Sequence, residues 1–77
     1  KFSVHPNPSK GIFNIDVIDE KNGDYLISVS NILGEEVFSE TRLVTSTTIN
    51  LSDLESGIYI LDIQNGDSSI SKKLIIE

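Results

Sequence analysis

The chain of 77 residues has one imidazole, His5, and no cysteine, which narrows nucleophilic and metal chemistry at once. A Ser-His-carboxylate relay has 11 serines to draw on. Every version must pass through His5, which stands near the first residue beside Pro6, where chains fray. His5 therefore reads as a solvated or rim-packed side chain. The 12 Asp and Glu residues could supply a general acid and base. Glycoside hydrolysis needs two carboxyls opposed across a cleft, whereas most carboxylates here alternate with apolar residues and fall on solvent-facing strand positions. The acidic stretch Asp19-Glu20-Lys21-Asn22-Gly23-Asp24 invites a calcium test. In an EF-hand loop the glycine is sixth and a Glu closes at twelve. Setting Gly23 sixth puts Ile18 first and Val29 twelfth, and neither can ligate a hard cation. A looser Ca2+ site from Asp19, Asp24 and a carbonyl stays open beside a plain hairpin turn.

Three other groupings carry possible recognition chemistry. Asn50-Leu51-Ser52 fits the glycosylation acceptor pattern, while Asn7-Pro8-Ser9 is excluded by its proline. Lys72-Lys73, the one adjacent basic pair, reads either as a dock for an acidic partner or as gatekeepers beside the aliphatic run Leu74-Ile75-Ile76. Pro6-Asn7-Pro8 is the most unusual feature. Its prolines fix φ and remove two donors, its Asn can close an Asx-type turn, and Gly11 lets the backbone start the next strand at close range. That motif is a stiff entrance or a rigid shape for a partner to read.

A net charge of −6 disfavours nucleic acid and anionic lipid alike. No apolar run approaches the 18 or so residues that span a bilayer. The first residues lack the apolar stretch of a signal peptide. Methionine is absent, including at position 1, so the chain is expected to be a processed product or a piece of a longer protein.

The elements that must position these groups are strands. There are 12 Ile, 5 Val and 4 Thr, and no Ala; β-branched side chains suit pleated sheets, and the best helix former is missing. Turn signals recur at Pro6 to Gly11, Lys21 to Asp24, Leu33-Gly34, Thr45-Ser46, Ser56-Gly57 and Asn65-Gly66-Asp67. Such spacing predicts a sandwich or small barrel, and the two Asn-Gly pairs are hairpin signals. Phe13, Ile15 and Val17 share one face; so do Tyr25, Ile27 and Val29, and again Tyr59, Leu61 and Ile63. Period two with one polar face marks an antiparallel sheet covered on one side. Residues 35–44 are the most polar segment and suit an edge strand, with Val37 and Leu43 on one face and Phe38 on the other. In the short segment 46–51, Ile49 and Leu51 point inward. Residues 68–76 end in an aliphatic run that is covered on both faces or lies at the seam between two sheets. Ser52-Asp53-Leu54-Glu55 has the form of a capping box, so one short helical turn is expected near residues 52–56, crossing between sheets with Leu54 inward. With Phe2 to His5 as the first, seven strands are expected in a single unit spanning 1–77.

The order of motifs resembles the type A C-terminal sorting domain of the type IX secretion system, found on exported cargo of Bacteroidetes-type bacteria. The resemblance rests on Pro6-Asn7-Pro8-Ser9-Lys10-Gly11-Ile12-Phe13, on Tyr25 through Val37 with its Leu33-Gly34-Glu35, on Ile49 through Leu61 with its Gly57-Ile58-Tyr59, and on Lys72-Lys73-Leu74-Ile75-Ile76-Glu77. It implies a small immunoglobulin-like sandwich without catalytic activity, metal or cofactor. Its partners would be the outer-membrane translocon, a sortase-like protease that removes it, and cargo covalently attached on its N-terminal side. The expected route is through the periplasm to the cell surface or medium, as a monomer and without membrane insertion. Carried over by motif, the partner-binding positions are Pro6, Asn7, Pro8 and Gly11 at the entrance. Gly57 and Tyr59 belong to the sixth strand, and Lys72, Lys73 and Leu74 to the end. One departure is His5, where the family usually has an aromatic residue, often Tyr. The competing readings are an accessory module that binds polysaccharide through a row of exposed aromatics, and a plain spacer between domains. With no Trp, 3 Phe and 2 Tyr, most of them inward by alternation, the aromatic row is hard to build.

Overall fold

A computed structural model of the chain describes residues 2–17, 25–42, 46–66 and 68–77, with Val17 and Arg42 described by backbone alone. Seven strands follow in order: β1 (Phe2–His5), β2 (Ile12–Val17), β3 (Tyr25–Asn31), β4 (Glu36–Arg42), β5 (Ser46–Asn50), β6 (Gly57–Asn65) and β7 (Ser68–Ile76). They form a three-stranded sheet, β1-β2-β5, and a four-stranded sheet, β4-β3-β6-β7, with every strand pair antiparallel. Compared with the constant-type immunoglobulin arrangement of four strands against three, the fourth strand has moved to the sheet of the third, sixth and seventh. The expected all-β sandwich is what the chain forms.

Alternation builds the core. Phe13, Ile15 and Ile49 from the smaller sheet meet Tyr25, Ile27, Val29, Tyr59, Leu61, Ile63, Leu74 and Ile76 from the larger, all buried. The edge strands contribute half-buried caps, Phe2 and Val4 from β1 and Phe38 from β4. Phe2 meets Tyr25 edge-to-face, with ring centroids 5.8 Å apart, and so ties the first strand to the opposite sheet. Each fully buried aliphatic or aromatic side chain contributes on the order of 2 kcal/mol. Small domains are stable by only about 0.05–0.15 kcal/mol per residue, so no core position is dispensable.

Several local expectations change. Residues 52–56 form no helix. One i to i+3 bond, Leu54 N–H to Leu51 O at 3.0 Å, closes a single turn. The capping-box geometry is absent because Asn50 takes Ser52 first: its Oδ1 accepts from Ser52 N–H (3.0 Å) and Ser52 Oγ–H (2.6 Å). An Asx turn thus competes with the helix start. The crossover itself is as expected, from β5 in one sheet to β6 in the other, with Leu54 packed against the core. The Asn22-Gly23 hairpin, the possible Ca2+ site at 19–24 and Leu43, expected on the face of Val37, lie outside the described residues. The strands on either side of 18–24, β2 and β3, belong to different sheets. The second Asn-Gly pair does join partners: Asn65 opposes Ser68 across the β6–β7 turn. β4 is an edge strand, as its polarity predicts. A register shift at Val29/Ser30 leaves Val37 unpaired and exposed and turns Phe38 toward the core.

Gly11 fixes how closely β2 can start beside the β5–β6 crossover. Its φ is +124°, and a Cβ there would lie 2.6 Å from Ser52 Cα and 2.9 Å from Leu51 C. All of these atoms are backbone of Leu51 and Ser52, so no side chain can yield. Gly11→Ala is expected to cost on the order of 2–4 kcal/mol. At about 4–8 °C per kcal/mol for a domain this small, thermal unfolding followed by circular dichroism should fall by about 10 °C or more. An unchanged melting temperature would show that the approach is looser than described.

Candidate recognition site

β7 is the edge of its sheet, and an edge strand presents unpaired N–H and C=O groups along its outer side. In this chain the segment between β1 and β2 covers part of that side. Asn7 Nδ2–H donates to Lys73 O at 2.7 Å, and Asn7 Oδ1 accepts from Ile75 N–H at 3.0 Å. A side-chain amide carries the same donor and acceptor as a peptide group, so Asn7 substitutes for one residue of a neighbouring strand. Ser9 continues the pairing with its backbone. Ser9 N–H donates to Ile75 O (3.0 Å), and Glu77 N–H donates to Ser9 O (2.8 Å), forming a parallel bridge between Ser9 and Ile76. The Ser9 hydroxyl is satisfied too, donating to Ile12 O at 2.6 Å and accepting from Gly11 N–H at 3.2 Å. That explains how a serine can be buried here. Both prolines follow cis peptide bonds, His5-Pro6 and Asn7-Pro8.

These bonds bring the Pro6-Asn7-Pro8 segment against the last residues of β7. Pro6, Asn7 and Pro8 are exposed, as are Lys72 and Lys73. The lysines project to opposite faces: Lys73, in phase with Ile75, lies on the outer face opposite Ile60, and Lys72 opposes Leu61. Of the alternatives weighed for the aliphatic run, the seam applies. Leu74 and Ile76 point into the core, Ile75 is half-buried on the other face, and residues 7–9 close the edge.

The remaining expected positions lie differently. Gly11 and Leu74 are buried, and Tyr59 is only 8% exposed. Tyr59 O–H donates to Glu55 O at 2.7 Å, a tyrosine near the start of the sixth strand bonded back to the preceding corner. All three are buried, so none presents an exposed side chain in this structure. Gly57 is exposed opposite Ile76.

Other chemistry singled out in the sequence finds these surroundings. His5 Nε2 and Asp16 Oδ2 are 2.8 Å apart on adjacent strands, with both side chains well exposed. Among the described residues no three His, Asp or Glu side chains group closely enough to hold a metal ion, and no helix is long and apolar enough to cross a membrane.

A feature that alternation does not reveal is the β3–β4 turn. Five hydrogen bonds hold residues 31–35. Asn31 N–H donates to Glu35 O, Gly34 N–H to Asn31 O, Leu33 and Glu35 N–H to Asn31 Oδ1, and Asn31 Nδ2–H to Glu35 Oε1. Gly34 takes φ +86°, which the turn needs and which a side chain would oppose. At its tip stand Ile32 and Leu33, 75% and 80% exposed. The signal in the sequence was an Asx-capable residue three positions before a glycine, with two large aliphatics between them.

The described residues form a two-sheet sandwich closed on a buried core, with the segment between β1 and β2 bonded to the outer edge of β7. The chain belongs to the secretion system C-terminal sorting domain family, whose family model matches residues 3–77. It is thus a type IX secretion sorting signal, which implies export toward the outer membrane and the cell surface or extracellular space. No curated protein matches the chain.

Asn7→Ala is expected to remove about 1 kcal/mol locally. By amide hydrogen exchange, Ile75 N–H should exchange about fivefold faster, with little change at Leu61. Asn7→Asp keeps the acceptor for Ile75 and loses the donor to Lys73. Equal exchange of Ile75 in wild type and Asn7→Ala would contradict the clamp.

Proposed function

We propose that this domain is a non-catalytic address that the outer-membrane translocon reads as a folded shape, and that the surface read is the seam between the Pro6-Asn7-Pro8 entrance and the end of β7. The observation that carries this reading is the two-bond clamp of Asn7 on Lys73 O and Ile75 N–H, which makes motifs 66 residues apart in sequence one rigid patch. The exposed members of the patch, Pro6, Asn7, Pro8, Gly57, Lys72 and Lys73, touch the partner. Gly11, Tyr59 and Leu74 act by holding the backbone. Cargo is attached on the N-terminal side, crosses the periplasm with the domain as a monomer, and loses it to a sortase-like protease outside. Capture by strand addition onto β7 uses Ser69 to Ser71, because Asn7 and Ser9 occupy the outer edge from Lys73 onward.

The polysaccharide-binding alternative has little to stand on. All five aromatic rings are buried or half-buried, so no flat row faces solvent.

The test is a reporter fused ahead of residues 1–77 in a host with the secretion machinery. Deleting Lys72 to Glu77 would also remove Leu74 and Ile76 from the core, so unfolding would mimic loss of recognition. Lys72→Glu with Lys73→Glu avoids this, since both side chains are exposed and such changes cost about 0.5 kcal/mol or less. The wild-type tail should bring the reporter to the surface, and the charge-reversed tail should leave it in the periplasm with an unchanged melting temperature. Equal export of the two would remove the lysines from the read surface. No export of either would refute the reading.

A further inference from the structure

The β3–β4 turn places its apolar side chains against the usual logic of turns. Connections between strands are generally polar, and Ile32 and Leu33 at 75% and 80% exposure contribute almost nothing to the core. Yet the turn that presents them is held by five hydrogen bonds centred on Asn31. Apolar side chains carried on a backbone that is already held bind with less loss of conformational freedom, which is how preorganised anchors gain affinity.

The surroundings specify the occupant. Behind the tip lies an open hollow of about 330 Å³, lined in part by Ile32, Leu33, Gly57, Ile58 and Glu55. Ile58 and Ile60, 46% and 37% exposed, extend the apolar surface along the outer face of β6. Carboxylates frame the tip and its hollow: Glu35 and Glu36 follow the tip directly, both exposed, and Glu55 lines the hollow, while the cation Lys73 stands farther along the strip, opposite Ile60. Three carboxylates around an aliphatic centre match a partner with an apolar pocket and a basic rim. They oppose an anionic lipid surface, and they oppose a second copy of a chain whose net charge is −6.

We propose that Ile32 and Leu33 are an aliphatic anchor that inserts into an apolar, Lys- or Arg-rimmed pocket on a protein component of the secretion machinery. This second contact rests on the reading of the domain as an address and is separate from the Asn7 seam.

The experiment compares reporter fusions carrying residues 1–77 as wild type, as the double variant Ile32→Ser/Leu33→Ser, and as Leu26→Ser. Leu26 is a control, an exposed aliphatic on β3 away from the turn. The melting temperature of each isolated chain is measured alongside. The expected result is a drop of about tenfold or more in surface reporter for the double variant, as for loss of anchor residues, with its melting temperature unchanged and Leu26→Ser exported like wild type. Glu36→Lys with Glu55→Lys should also reduce export, and normal export of that variant would overturn the basic rim. Normal export of the double variant beside normal wild-type export overturns the anchor and leaves the address reading intact. Failure of the wild-type fusion itself refutes the address reading instead. Two further measurements on the wild-type chain test the rejected occupants. Self-association in sedimentation that the double variant abolishes, or binding to anionic vesicles that it abolishes, would each overturn the proposal of a protein pocket.

Discussion

A β-sandwich of seven strands has open edges, and each edge offers backbone groups that a neighbour will pair with if nothing covers them. At β7 the chain covers the edge with its own entrance segment. Asn7 supplies a side-chain amide in place of a peptide, and Ser9 supplies the next residue of backbone. Gly11 then turns the chain into β2 at a distance from Ser52 that only a residue without Cβ allows. The smaller sheet is thereby linked to the larger by hydrogen bonds as well as by the core. The positions of the prolines, the buried serine and the last apolar residues follow from that one junction.

On the proposed reading as an address, the junction also accounts for how the domain is recognised. A partner gripping a small sandwich has few deep pockets to use, so rigid backbone and exposed margins must carry recognition. The seam supplies one such margin near the chain's last residues. The Asn31 turn supplies another rigid element with the same device, an asparagine side chain spent on backbone groups. In both places the asparagine does its work locally, leaving the neighbouring side chains free to face outward.

Much of the fold was legible because it depends on period two. Phe13, Ile15, Tyr25, Ile27, Val29, Tyr59, Leu61 and Ile63 fall on inward faces by alternation alone and are buried as alternation requires. What alternation does not encode is partner choice. Nothing local says that β2 and β3 lie in different sheets. The capping box at Ser52 was misleading because Asn50, two residues upstream, competes for the same groups. The Pro6-Asn7-Pro8 turn was visible as stiff, but the target of Asn7 lies at the other end of the chain and is invisible to any local rule. Leu33-Gly34 was legible as a turn signal; the exposure of Ile32 and Leu33 depends on where β3 and β4 end.

The most direct test of the junction is scalar coupling across its hydrogen bonds by NMR on isotopically labelled chain. Nitrogen-to-carbonyl couplings are expected between the Ser9 amide and the Ile75 carbonyl, and between the Glu77 amide and the Ser9 carbonyl, alongside those of the β6–β7 ladder. A spectrum with the ladder couplings present and both junction couplings missing would contradict the account, because β7 would then end as a free edge.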